Sequence, residues 1–114
     1  LTRRPIFIPA VGNFDQGMLV ELPLHLDTLP GKPSADRLLE VYRAHYAGAE
    51  AVTVELAPES GKLDAVALKD TNQLEIRVFG NPEAQQAVAV ARLDNLGKGA
   101  SGAAVQNLRL MLGL

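Results

Sequence analysis

The chain has 114 residues, 47% of them apolar, which is enough for one compact domain with a real core. Only 4% are aromatic, so that core must be built from leucine, valine and alanine. A net charge of −2 with both signs interspersed gives no basic footprint for nucleic acid and no polybasic membrane patch, and the lack of cysteine excludes disulfides, a thiol nucleophile and a cysteine metal site. No apolar run approaches the roughly 18 residues of a membrane span and no signal peptide opens the chain, so the expectation is a cytoplasmic protein.

Leu1-Thr2-Arg3-Arg4 carries no initiator methionine and runs at once into Pro5-Ile6-Phe7-Ile8-Pro9, which suggests a fragment or a processed product. Ile6 to Ile8 reads as a short strand whose flanking prolines limit its pairing. After a loop from Gly12 to Gly17, Met18, Val20, Leu22, Leu24 and Leu26 alternate with a mixed set that includes Glu21, Pro23 and His25. That period of two marks a strand with one face on a core; Pro23 suggests an edge or a bulge, and His25 is a solvated side chain. Asp27 to Pro33 is turn-rich. Ser34 then caps a helix from about Ala35 to Tyr46, ended by Gly48, with Leu38, Leu39, Val41, Tyr42 and His45 or Tyr46 as its buried stripe and Glu40 with Arg43 as a surface pair.

Val52 to Leu56 reads as another strand, and Leu63 to Leu68 as a short helical turn. Leu74 to Phe79 and Ala87 to Leu93 flank Gly80-Asn81-Pro82 and read as an antiparallel hairpin. Ala87, Ala89 and Ala91 put small residues on one of its faces, where a helix can lie closely. The order β-β-α-β-β-β-α predicts an α+β domain, a mostly antiparallel or mixed sheet with helices on one face, occupying residues 1–114 as a single unit.

The last stretch carries the chemistry. Gly97, Gly99 and Gly102 spell G-x-G-x-x-G between a strand and an apolar helix, yet no second strand follows to complete a Rossmann site. Glycines let backbone approach a ligand, Ser101 is positioned to cap the helix from 101 to 114, and the free N–H groups of its first turn, with Lys98, favour an anion.

Asp94-Asn95-Leu96-Gly97-Lys98-Gly99-Ala100-Ser101-Gly102-Ala103-Ala104-Val105-Gln106-Asn107 resembles the C-terminal signature of the N-acetyl-gamma-glutamyl-phosphate reductases. Pro9-Ala10-Val11-Gly12-Asn13-Phe14-Asp15-Gln16-Gly17-Met18-Leu19-Val20 and Phe79-Gly80-Asn81 are similar to the second, shorter type of that enzyme. Aspartate-semialdehyde dehydrogenases carry a related loop and are the alternative within the enzyme class; a stand-alone, non-catalytic association module is the alternative outside it.

The resemblance implies the C-terminal substrate and association domain of an enzyme that reduces N-acetyl-glutamyl 5-phosphate to the semialdehyde with NADPH, in arginine biosynthesis. It places the catalytic Cys, the His and the Rossmann domain outside this chain, leaving the chain alone inactive. It further implies that Asn95, Lys98, Gly99 and Ala100 lie along NADP and that Gln16 and Gly17 lie on the substrate side. On the same grounds the terminal helix packs on the missing nucleotide-binding domain and the sheet joins subunits of a dimer or tetramer. Arg3 and Arg4 are read as a solvated terminal pair rather than as ligands of the substrate phosphate.

Overall fold

The computed structural model describes residues 4–114; Arg3, one of the terminal pair, lies outside them. Four strands form one sheet in the order β1-β4-β3-β2: β1 is Met18–His25, β2 is Val52–Leu56, β3 is Leu74–Asn81 and β4 is Gln86–Leu93. β4 runs antiparallel to both β1 and β3, whereas β2 runs parallel to β3, so the sheet is mixed. Two helices complete the fold, α1 at Ala35–His45 and α2 at Gly102–Leu112. β1 is an edge strand, which is where Pro23, with no N–H to donate, can be accommodated.

Register explains the core. Side chains paired across strands share a face, so Leu24, Ala87 and Gly80 form one row and Leu22, Ala89, Val78 and Leu56 the next. α1 lies on this face. Its Leu38, Leu39 and Tyr42 pack with Val54, Val78, Ala87, Leu24 and Leu26, and the alanines of β4 are small enough to admit it. Gly80 is required by the same closeness, since a Cβ there would stand 2.5 Å from the Cβ of Ala35. Ser34 caps α1 as expected, its Oγ accepting from Arg37 N at 3.1 Å.

The opposite face carries an ion-pair cluster. Glu75 and Arg92 are register partners and Arg77 follows on the same face, with Arg77 Nε 2.6 Å and Arg92 Nη2 2.8 Å from Glu75 Oε1. Burial alone would raise the Glu75 pKa, but bonds from Arg77 and Arg92 outweigh it and hold the carboxyl below its ordinary value. The segment between β2 and β3 crosses this face, where Arg92 Nη1 donates to Asp64 O.

Several expectations are corrected. Ile6 to Ile8 is not a strand: no ladder includes residues 4–17, and Ile6, Phe7 and Ile8 remain 83–89% exposed. Pro5 and Pro9 remove the N–H groups that would have tied both ends. β1 stops at His25; Leu26 enters a 3₁₀ turn, Leu26–Thr28, and reaches the core from there. On α1, Val41 is half exposed and His45 exposed, and the surface pair is Arg37 with Glu40, at 2.9 Å, rather than Glu40 with Arg43. The stretch expected to turn helically at Leu63 to Leu68 forms only turns, from Ala65 to Asp70. The expectation for the terminal helix is not among those corrected: α2 buries none of its residues, and Val105, Leu108, Leu110, Met111 and Leu112 are all more than half exposed.

Candidate functional site

The site forms where β1 begins and β4 ends, since Met18 and Leu93 are register partners. The two loops that abut there are the ones singled out in the sequence. Asn95 Oδ1 accepts the backbone N–H of Gly17 at 2.8 Å, and Gln16 Nε2 donates to Asp94 Oδ2 and, at 3.2 Å, to Asp70 Oδ1. Gln16-Gly17 and Asp94-Asn95 thus form two facing dipeptides stitched by hydrogen bonds.

Asp94 is the centre of this arrangement and has no exposed surface. Its Oδ1 accepts from Leu96 N at 2.8 Å and Gly97 N at 3.0 Å; its Oδ2 accepts from Asp70 N at 2.6 Å and from Gln16. Every partner is a donor, so the carboxylate is satisfied only when ionised. The Gly97 N–H, opposed by burial and seconded by those of Leu96 and Asp70 and by the Gln16 amide, holds its pKa down at about 2.

A folded-state pKa below the unfolded value of about 3.9 means that the stabilisation is present above that value and is lost as pH falls through about 2. Acid unfolding of the complete protein is therefore expected to steepen between about pH 4 and 2, and Asp94→Asn to flatten the curve there. Circular dichroism along the titration reads this out.

The anion seat at the loop is consequently filled by the chain itself. The amides of Leu96 and Gly97, at the start of the loop, hold Asp94. Ser101 is not an N-cap: it has helical dihedrals, and its Oγ donates to Leu96 O at 2.8 Å. A π-turn at Gly97–Ser101 feeds straight into α2, with Gly102 N bonded to Gly97 O, so the first helical amide is already used.

The glycine spacing has an internal explanation too. A Cβ on Gly97 would stand 2.7 Å from Thr71 O, and one on Gly102 would strike Asn72 Oδ1, so both are demanded by the 70–72 turn packed against the loop. Gly99 is exposed; its N–H donates to Asp94 O at 2.8 Å, and a Cβ would meet that same oxygen at 3.2 Å. Ala100 is exposed beside it, and Lys98 Nζ donates to Gln106 Oε1 at 2.6 Å.

A cleft of about 390 Å³ opens here, lined by Gln16, Asp70, Asn72, Asp94, Gly97 and Gly102. A second, of about 440 Å³, lies between the start of α1 and the β3–β4 turn and contains none of these residues. Polar groups line both, among them Asp27, Lys32 and Gln86 in the larger one, but only the cleft at the loops includes a residue singled out in the sequence for binding, Gln16. Asp70, at φ 60°, and Asp94 were missed by sequence reasoning. An aspartate at a strand end whose second and third following amides turn back on it is an Asx-turn pattern, and that signal was available for Asp94. His25 is at the far end of β1, paired with Gln86, and His45 is exposed on α1. Among the described residues no group of His, Asp and Glu could hold a metal, and no helix is long and apolar enough to cross a membrane.

A mixed sheet with one helix-covered face, a half-exposed apolar edge strand and paired loops at one end defines an association-type α+β domain. Comparison with known families agrees: residues 1–95 match the model described as semialdehyde dehydrogenase, dimerisation domain, and the chain belongs to that family. Over its whole length it is 50% identical to N-acetyl-gamma-glutamyl-phosphate reductase 2 of Nostoc sp. and 49% identical to N-acetyl-gamma-glutamyl-phosphate reductase of Trichormus variabilis. It is 52% identical, over 99% of its length, to the enzyme of that name from Brucella ovis. The chain spans 37% of the length of each of these relatives.

Proposed function

We propose that these residues are the C-terminal association domain of an N-acetyl-gamma-glutamyl-phosphate reductase, acting in the cytoplasm in arginine biosynthesis. The observation that carries the reading is the stitching of Gln16-Gly17 to Asp94-Asn95, which joins the expected substrate side to the expected cofactor side. The names of the relatives favour the acetylglutamyl substrate over the aspartyl one and disfavour a non-catalytic module.

The residues fit one end of a dinucleotide. With Leu96 and Gly97 committed to Asp94, and Gly99, Ser101 and Gly102 to backbone carbonyls, most of the loop's amides are not open to a pyrophosphate. Asn95, whose Oδ1 is taken by Gly17, retains the two Nδ2 hydrogens to donate to a neutral carboxamide, with Gly99 and Ala100 allowing close approach and Lys98 supplying positive charge nearby. NADPH, held mainly by the nucleotide-binding domain, would supply hydride to an acyl group carried on a thiol of that domain. In this domain Gln16 and Asn95 orient and bind; no residue here serves as the nucleophile.

The complete protein is expected to reduce N-acetyl-glutamyl phosphate with NADPH and to leave aspartyl phosphate essentially untouched. The reverse preference, read by loss of NADPH absorbance, would assign it to the aspartate-semialdehyde dehydrogenases.

Association completes the reading. α1 lies over β2 and β3 and leaves Met18, Val20 and Leu22 of β1 40–52% exposed on the same apolar face. That stripe is the surface offered to a second subunit, while the apolar α2 is offered to the nucleotide-binding domain. Val20→Asp combined with Leu22→Asp is expected to shift the complete protein from dimer or tetramer to a smaller species in sedimentation. Unchanged sedimentation would move the interface elsewhere.

A further inference from the structure

We infer that Asp94 is a positioning residue: by fixing which way the Gln16 amide faces, it makes the site present a set acceptor, beside the donors of Asn95, to an amide group of the ligand. The inference rests on the function proposed above and adds to it a residue and the ligand group that residue serves.

The oxygen and nitrogen of a carboxamide have nearly the same shape, and only their partners decide which atom points where. Gln16 Nε2 contacts two carboxylates, Asp94 and Asp70, neither of which can donate when ionised. The NH₂ group must therefore face them, and Oε1 is turned away as an acceptor. Asn95 is fixed in the opposite sense. Its Oδ1 meets a backbone N–H, which only donates, so Nδ2 is turned away as a donor. The two facing dipeptides thus leave one acceptor and one pair of donors uncommitted. An amide group carries the complement, a C=O and an N–H. The proposed ligands contain two such groups, the N-acetyl amide of the substrate and the carboxamide of nicotinamide.

Asp94 is the buried group among those that hold Gln16. It receives four donors, and Gln16 is one of them. An asparagine at 94 has nearly the same volume but one acceptor atom. If its oxygen keeps Leu96 N and Gly97 N, its NH₂ faces the NH₂ of Gln16, donor against donor, and Gln16 can relieve this only by turning Oε1 onto the Asp70 carboxylate, so neither orientation is held. Once inverted, the side chain presents donors where the ligand requires an acceptor.

The test uses the complete protein, with KM for N-acetyl-glutamyl phosphate and Kd for NADPH measured well below each variant's melting temperature. Asp94→Asn is expected to raise at least one of them tenfold or more. Adding Gln16→Glu together with Asp70→Asn, which offers an oxygen both to the new amide at 94 and to the ligand and removes the facing charge at 70, is expected to recover most of that loss. Gln16→Leu, with Asp94 intact, is expected to reproduce it and keeps the inference testable if Asp94→Asn folds poorly. A rise in the substrate KM alone assigns the amide to the N-acetyl group; a rise in the NADPH Kd alone assigns it to nicotinamide. Normal KM and Kd in Gln16→Leu, or in Asp94→Asn, would overturn the inference whatever the melting temperatures. A parent protein whose NADPH Kd rises in these variants as expected, yet which does not reduce the acyl phosphate, would defeat the functional proposal and leave this one standing.

Discussion

Replacing Gly17 with alanine in the complete protein is expected to lower the melting temperature of this domain by roughly 10 °C or more. Gly17 has φ 124°, a conformation that L side chains rarely adopt, at a cost of about 1–3 kcal/mol. The new Cβ would also run into Ala65 O and stand 3.1 Å from Val66 Cα, both backbone atoms that cannot swing aside. Such overpacking costs about 1–3 kcal/mol more. Rotation offers no escape, because the Gly17 N–H is held by Asn95. Each kcal/mol is worth roughly 4–8 °C in a domain near this size. Gly48→Ala is the control: its φ is 80°, but nothing lies within 4 Å of the added atom, so only the strain remains. Equal melting shifts in the two variants would show that the contact with 65–66 is unimportant. Since Gly17 and Asn95 share a bond, the Gly17 variant is expected also to weaken NADPH binding, and the Gly48 variant not to.

The larger effect is on catalysis. The 114-residue chain by itself is expected to show no NADPH-dependent reduction of N-acetyl-glutamyl phosphate above background. Acyl transfer to an enzyme requires a nucleophile, and the sequence contains no cysteine. His25 and His45 do not substitute for one: the first lies at the opposite end of β1 from the loops and the second is exposed on α1. Without a nucleophile only the contributions of binding and polarisation remain. Turnover by the pure chain, followed by phosphate release, would mean that the parts have been assigned to the wrong residues.

How far the sequence could be read depended on the range of each interaction. Alternation from Met18 to Leu24 and from Leu74 to Leu93 was legible because a half-buried strand imposes a period of two on adjacent residues. The Ser34 cap was legible because its partner, Arg37 N, is three residues away. The apolar Ile6-Phe7-Ile8 misled because strand pattern is a statement about side chains, while pairing is decided by backbone donors that the prolines lack. Ser101 misled for a similar reason: cap chemistry is read locally, but the π-turn before α2 had already used the amide that a free helix end would leave.

The site itself was half visible. Gln16, Gly17 and Asn95 stood out by resemblance, yet nothing in the spacing joined them across 78 residues. Asp70, 24 residues before Asp94, has no periodicity to announce it. The Glu75, Arg77 and Arg92 cluster was likewise hidden until register placed Glu75 beside Arg92. Two of the three glycines in G-x-G-x-x-G serve the contact with Thr71 and Asn72, which is why the pattern occurs here without the Rossmann fold that it usually marks.

Hydrogen exchange of the complete protein with and without NADPH tests most directly whether this domain contributes its Asn95 loop to the cofactor site. The expected result is slower exchange across residues 95–100 and at Gly17 on binding, with α1 unchanged. If the cofactor slows exchange only outside residues 1–114 and leaves 95–100 and Gly17 as they were, the loop is a connection between β4 and α2 and the account of the site is wrong.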